Sequence, residues 1–109
     1  FIEYINDLEQ KTGVQMVSFG HAGDGNVHLC VVRGGRTQEQ WEKDRREVLA
    51  SAYDKSSELG GLTSGEHGIG LSKKTYLKKA SDPLILQMMK QVKLSLDPKN
   101  ILNPNKIFD

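Results

Sequence analysis

Apolar residues recur along this chain at two different spacings. Ile2, Ile5 and Leu8 fall at helical intervals, and Gly13 follows, so the spacing predicts a short helix closed by a glycine. VQMVSF (14–19) and NVHLCVVR (26–33) are rich in β-branched and apolar residues and read as two strands. Between them lies GHAGDG, in which Asp24–Gly25 is a common two-residue hairpin turn. Gly34–Gly35 breaks the second strand. Thr37 then begins TQEQWEKDRREVLASAYDKSSEL, with Gln40 three residues on, the signature of a capping box. Trp41, Val48, Leu49, Ala52 and Tyr53 share roughly one face of that helix, and Gly60–Gly61 ends it.

LTSGEHGIGLSKK follows, and its glycine density predicts a shaped loop. A last helix runs from Asp82 or Pro83 to Leu96. Its stripe of Leu84, Ile85, Met88, Met89, Val92 and Leu96 reads as a core face. DPKNILNPNKIFD (97–109) has two prolines and little periodicity and reads as an extended tail on a surface. The order is helix, strand, strand, helix, loop, helix, tail, an α+β class. Two strands alone make a marginal sheet. Partner strands are therefore expected from outside the chain, giving a ferredoxin-like open antiparallel sheet with helices on one face, incomplete in this piece.

The 109 residues bound the chain to one domain at most. With 15 basic against 14 acidic residues the net charge is +1, which excludes a strong non-specific pull toward nucleic acid or anionic membranes. The basic pairs Lys73–Lys74 and Lys78–Lys79 read as a solvated face. The single cysteine, Cys30, rules out an internal disulfide, fits a reducing compartment, and reads as a small buried hydrophobe. No stretch is apolar enough to span a bilayer. The chain opens on FIEYINDLEQ, without a start methionine and already inside an amphipathic pattern, so it is expected to be part of a longer protein.

All three histidines lie in or beside the two glycine-rich segments. With Asp24–Gly25 as the turn, His21 faces His28 across the hairpin. Facing Cβ atoms in an antiparallel pair are about 4.5–5.5 Å apart. Two imidazoles held so can converge on one ion. The bland alternative is a pair of unrelated, half-exposed histidines. Glu66, between Gly65 and His67, is the natural third ligand, or else simply a charge at a helix start. Two nitrogens and a carboxylate leave positions open for water or substrate, a catalytic rather than a structural arrangement. Such a donor set suits zinc, manganese, iron or cobalt, with zinc or manganese expected first. His67, next in the chain, could point to another side of the same pocket, where a nearby cation would hold it neutral and ready to accept a proton. Its bland alternative is a loop histidine bonded to backbone.

Two phosphate-binding readings fail. Gly65 and Gly70 have the spacing of a phosphate loop, but Leu71–Ser72 stands where lysine and a hydroxyl residue are required. Gly68–Ile69–Gly70 lacks the third glycine of a dinucleotide fingerprint.

HAGDGNVH (21–28), SGEHGIGLSKK (64–74) and DPKNILNPNKIF (97–108), in this order, resemble the C-terminal end of the FAD-linked oxidases, a group that includes glycolate oxidase flavoprotein subunits and D-lactate dehydrogenases. The resemblance runs from about Phe19 to the end. It implies that FAD is bound mainly by a separate upstream domain of the same chain, and that residues 1–109 supply the substrate and metal side of the site. His21, His28 and Glu66 then match the family's divalent-metal ligands. His67 matches the base that takes the hydroxyl proton as hydride leaves for the flavin. Asn26 matches the motif's asparagine, a substrate-side, turn-stabilising or supporting residue. Asn103 matches the tail asparagine, placed toward the flavin. The implied activity is oxidation of a small D-2-hydroxy acid, of glycolate or D-lactate type, to the 2-oxo acid. The fragment alone is expected to be inactive.

Two positions depart from the family pattern. Asn105 replaces a glycine common in the tail motif. Cys30 stands where the hydroxyglutarate enzymes resemble one another in carrying an asparagine, which favours a monocarboxylate substrate. Expected partners are the flavin domain, an electron-acceptor protein, and a second copy in a homo-oligomer. A cytoplasmic location, peripheral to a membrane through a partner, is the expectation. The contrasting reading is a non-enzymatic α+β module that binds a metal or a partner. A third, a non-haem iron enzyme using two histidines and a carboxylate, is disfavoured because no double-stranded β-helix pattern is present.

Overall fold

A computed structural model describes residues 1–108, which form an α+β fold in two compact units, the first 1–66 and the second beginning at His67. In the first unit, α1 (Ile2–Thr12) ends at Gly13, whose φ of 66° lets its N–H reach the Glu9 carbonyl. The Glu9 carboxylate accepts the Met16 N–H at 2.7 Å and so ties the first strand to the helix that precedes it. Strands β1 (Met16–His21) and β2 (Asn26–Val31) pair antiparallel, with Met16 opposite Val31 and His21 opposite Asn26. They start or stop two residues inside the predicted strands at the ends away from the turn, beyond which one further backbone bond, from the Val32 N–H to the Gln15 carbonyl at 2.9 Å, continues the pairing.

Helix α2 (Gln38–Glu58) starts with the expected reciprocal cap. Thr37 Oγ1 accepts the Gln40 N–H, and Gln40 Oε1 accepts the Thr37 N–H. Arg36 then clamps the helix start to the end of α1, donating from Nη2 to the Gly13 carbonyl at 2.6 Å and from Nε to Asp44 at 2.8 Å. The core is small: Ile5, Val14, Met16, Val48 and Ala52, with Tyr4, Leu8, Leu29 and Val31 packed around it. Met16, Leu29 and Val31 share one face of the hairpin by strand alternation. Both helices therefore cover that face, as predicted. The opposite face carries Val17, Phe19, His21, Asn26, His28 and Cys30. Cys30 is exposed there, so its reading as a buried hydrophobe is corrected: the apolar run around it supplies one buried and one open face.

The second unit contains α3 (Lys74–Ala80), which the glycine-rich reading of its flank did not anticipate, and α4 (Pro83–Leu96). Asp82 caps α4 by accepting the Leu84 N–H at 2.7 Å, with Pro83 at the first helical position. The apolar stripe of α4 is largely exposed, with Leu96 81% accessible, so its reading as a core face is corrected. Within the stripe Met89 is half-buried, as are Leu86 and Leu94 outside it. The last segment is not extended. It is a succession of turns in which Asn100, Asn103, Asn105 and Ile107 have positive φ. Asp97, buried, accepts the N–H groups of Ile101 and Leu102 and pairs with Lys93. Ile107 donates to the Gly70 carbonyl at 2.8 Å, and Lys74 Nζ to the Asn105 carbonyl at 3.1 Å. Asn105 at φ 61° explains how the tail follows its path without the family's glycine, because asparagine tolerates the left-handed region. Among the described residues no helix is long and apolar enough to cross a membrane.

Candidate metal centre

The hairpin that carries both histidines turns differently from the prediction. Residues Ala22–Asp24 form a single turn of 3-10 helix, and Gly25, at φ 66°, donates back to the Ala22 carbonyl. The connection is four residues long, not two. His21 consequently faces Asn26, and His28 faces Phe19, so the expected direct His21–His28 pairing is corrected. The register moves His21's partner by two residues. Side chains alternate with period two, so an even slip leaves both histidines on one face. They meet diagonally, ring centroids 5.7 Å apart and nearly perpendicular. Phe19 lies against His28 on the same face at 5.4 Å.

Glu66 closes the group. Its Oε1 lies 2.9 Å from His28 Nε2 and 3.6 Å from His21 Nε2. One donor atom from each of the three residues lies within 4.8 Å of the others. Metal–nitrogen bonds of about 2.0–2.1 Å in a tetrahedral shell put neighbouring donors about 3.4 Å apart. The observed carboxylate–imidazole separations of 2.9 and 3.6 Å straddle that value, so side-chain adjustments of a few tenths of an ångström bring Glu66 to coordination distance of each histidine. His28 is the sheltered member, with its side chain 17% accessible, against 58% for His21 and 45% for Glu66. The half-buried histidine is the most sheltered of the three, and the two exposed residues leave the group open toward solvent. Donor chemistry, spacing and openness therefore fit a divalent ion held by two nitrogens and one carboxylate.

All three ligand residues and Asn26 belong to the first unit. His67 opens the second unit, exposed, immediately after Glu66 in the chain. Asn103 lies within the second unit at φ 48°, its carbonyl accepting the Lys106 N–H. Sequence reasoning overlooked Gly20 and Gly65 as site residues. A methyl on Gly20 would overlap the Asn26 carbonyl oxygen, and one on Gly65 would overlap the Asn26 side-chain oxygen. Their adjacency to His21 and Glu66 was the available signal.

Residues 1–107 match the family described as FAD linked oxidases, C-terminal domain. The chain is 39% identical over 107 residues to a D-lactate dehydrogenase of Anaerostipes hadrus and 43% over 102 residues to a D-lactate dehydrogenase of Archaeoglobus fulgidus. It is 38% identical over 107 residues to the glycolate oxidase subunit GlcD of Bacillus subtilis. These alignments cover 98%, 94% and 98% of the chain but only 22%, 22% and 23% of the relatives, so the chain spans less than a quarter of their length. The order of the three motifs, the α+β fold and the match over nearly every residue agree: the chain belongs to the FAD-linked oxidases, as the C-terminal domain of that family.

Proposed function

We propose that this domain supplies the metal and proton-transfer side of a flavin-dependent dehydrogenase acting on a small D-2-hydroxy acid of glycolate or D-lactate type. The observation that carries the reading is the convergence of His21, His28 and Glu66 on one open point. The names of the relatives support the substrate class. When bound, the divalent ion supplies Lewis acidity toward the substrate's hydroxyl and carboxylate oxygens, and FAD, held elsewhere in the protein, supplies the hydride acceptor.

His21 and His28 would hold the ion through Nε2, and Glu66 would offset one of its two charges. Zinc and manganese both suit this set. With His21 and Glu66 exposed, the substrate's hydroxyl and carboxylate oxygens would approach from the solvent side, which would orient its Cα–H bond. His67 takes the α-hydroxyl proton on an imidazole nitrogen as the C–H electron pair departs, leaving the 2-oxo acid. Asn103, in the C-terminal turns, is assigned to the flavin side. Reoxidation of bound FAD would fall to an electron-acceptor protein.

The test is elemental analysis of the purified protein against its His28→Ala variant. One equivalent of divalent metal in the wild type, lost in the variant, is expected. Equal metal content in the two would refute the ligand assignment.

A further inference from the structure

Three ligands on three stretches of chain need something to hold those stretches in register. Of the chain's eleven glycines, three stand where an added methyl would collide with another atom: Gly20, Gly61 and Gly65. Gly61 meets Ser56, within the end of α2. The other two both meet Asn26. A methyl on Gly20 would overlap the Asn26 carbonyl oxygen and lie 3.1 Å from its carbon. A methyl on Gly65 would overlap Asn26 Oδ1 and lie 2.7 Å from Cγ and 3.1 Å from Nδ2. Gly20 precedes His21, Gly65 precedes Glu66, and Asn26 pairs with His21 and stands two residues before His28 on the same strand face.

We propose that Asn26 is the positioning residue of the metal site, its backbone seated against Gly20 and its amide against Gly65, so that one residue sets all three ligands. This rests on the metal reading above. The division within Asn26 makes the two contacts chemically different. The Gly20 contact is backbone against backbone and belongs to the hairpin. The Gly65 contact is side chain against backbone, and it is the one that seats the Glu66 segment over the histidines. Removing the amide frees Glu66 to drift from His28, whereas the hairpin keeps both histidines.

The experiment loads the full chain with Co²⁺ and follows its d–d absorption, which reports both affinity and ligand geometry. The wild type is compared with Asn26→Ala, Gly65→Ala and the double variant. The unfolding temperature of each metal-free protein is measured alongside. Each single variant is expected to weaken Co²⁺ binding by about 10- to 100-fold, the range for residues that orient metal ligands, with an altered band shape and little change in unfolding temperature. In the double variant the new methyl enters the space the amide vacates, so it should bind no more weakly than Gly65→Ala alone. Independent losses that multiply in the double variant would overturn the proposal, as would wild-type affinity in Asn26→Ala. Asn26→Ala removes atoms without a clash, so it decides the matter even if Gly65→Ala fails to fold. A wild type that shows no Co²⁺ band would instead sink the metal reading itself, and this inference with it.

Discussion

Ile5→Ala separates the structural face of the hairpin from its chemical face. Ile5 is 1% accessible at the centre of a core with only five buried apolar residues. The substitution deletes three carbons, which costs about 2.4 kcal/mol at roughly 0.8 kcal/mol per buried methylene. A cavity contribution brings the expected loss to about 3 kcal/mol, within the range of roughly 2–5 for such truncations. For a unit of about 66 residues the whole stability is about 3–10 kcal/mol, so this is a large share. The histidines project from the opposite face of the sheet, so the metal-binding free energy should be untouched. Metal at about 100 times its dissociation constant stabilises the folded state by about 2.7 kcal/mol. That increment should be the same in wild type and Ile5→Ala, because distant sites with no shared partner add. It should vanish in His28→Ala. Trp41, the single tryptophan and the first-turn neighbour of the α2 cap, reports unfolding of this unit by fluorescence in urea. Disappearance of the metal increment in folded Ile5→Ala, or a destabilisation under about 0.5 kcal/mol, would refute the separation of faces.

Arg36→Ala removes the clamp between the end of α1 and the start of α2. Both bonds are partly exposed, so a cost of about 1 kcal/mol is expected, read as a lower urea midpoint, and Arg36→Lys should not restore the forked geometry. In the C-terminal turns, Asn105→Ala should cost about 1 kcal/mol and Asn105→Gly should be nearly neutral, because the position is left-handed. A thermal melt in which alanine equals glycine would refute that conformation. The Lys93 ammonium bonded to Asp97 holds the Asp97 carboxyl below its usual range, and the Leu102 and Ile101 N–H groups act in the same direction. A depressed carboxyl contributes stability that is fully present above its ordinary unfolded value of about 3.9 and is lost as pH falls through the lower folded value. Amide-exchange protection of Ile101 and Leu102 should therefore fall in acid, and Asp97→Asn should lower it already at neutral pH.

What could be foreseen from the residues was local. The capping box at Thr37, the glycine stop at Gly13 and the Asp82–Pro83 start are each decided within four residues, and each stands where expected. Features that depend on what lies opposite were out of reach. Periodicity identifies an apolar face on α4 but contains nothing about what covers it, and most of that stripe is exposed. KTYLKKA, which forms α3, is too short and too basic to show a period. The tail's turns depend on asparagines adopting positive φ, a tolerance that composition hints at but does not place.

The hairpin shows why the shared face of the two histidines survived an error in its own turn. Asp24–Gly25 fits a two-residue loop, but Gly25 serves equally well as the left-handed residue that closes a longer one, and the chain uses it so. The resulting slip is even. An odd slip would have sent His21 to the helix-covered face among Met16, Leu29 and Val31, where no ion could reach it. With an even slip, two histidines six residues of loop and strand apart still share a face, and only their spacing along it changes. Glu66 then has to reach a diagonal pair instead of a facing one. That is why the fit of the Asn26 amide against Gly65 matters more than the turn itself: in the proposed site it sets where along the face the carboxylate lands.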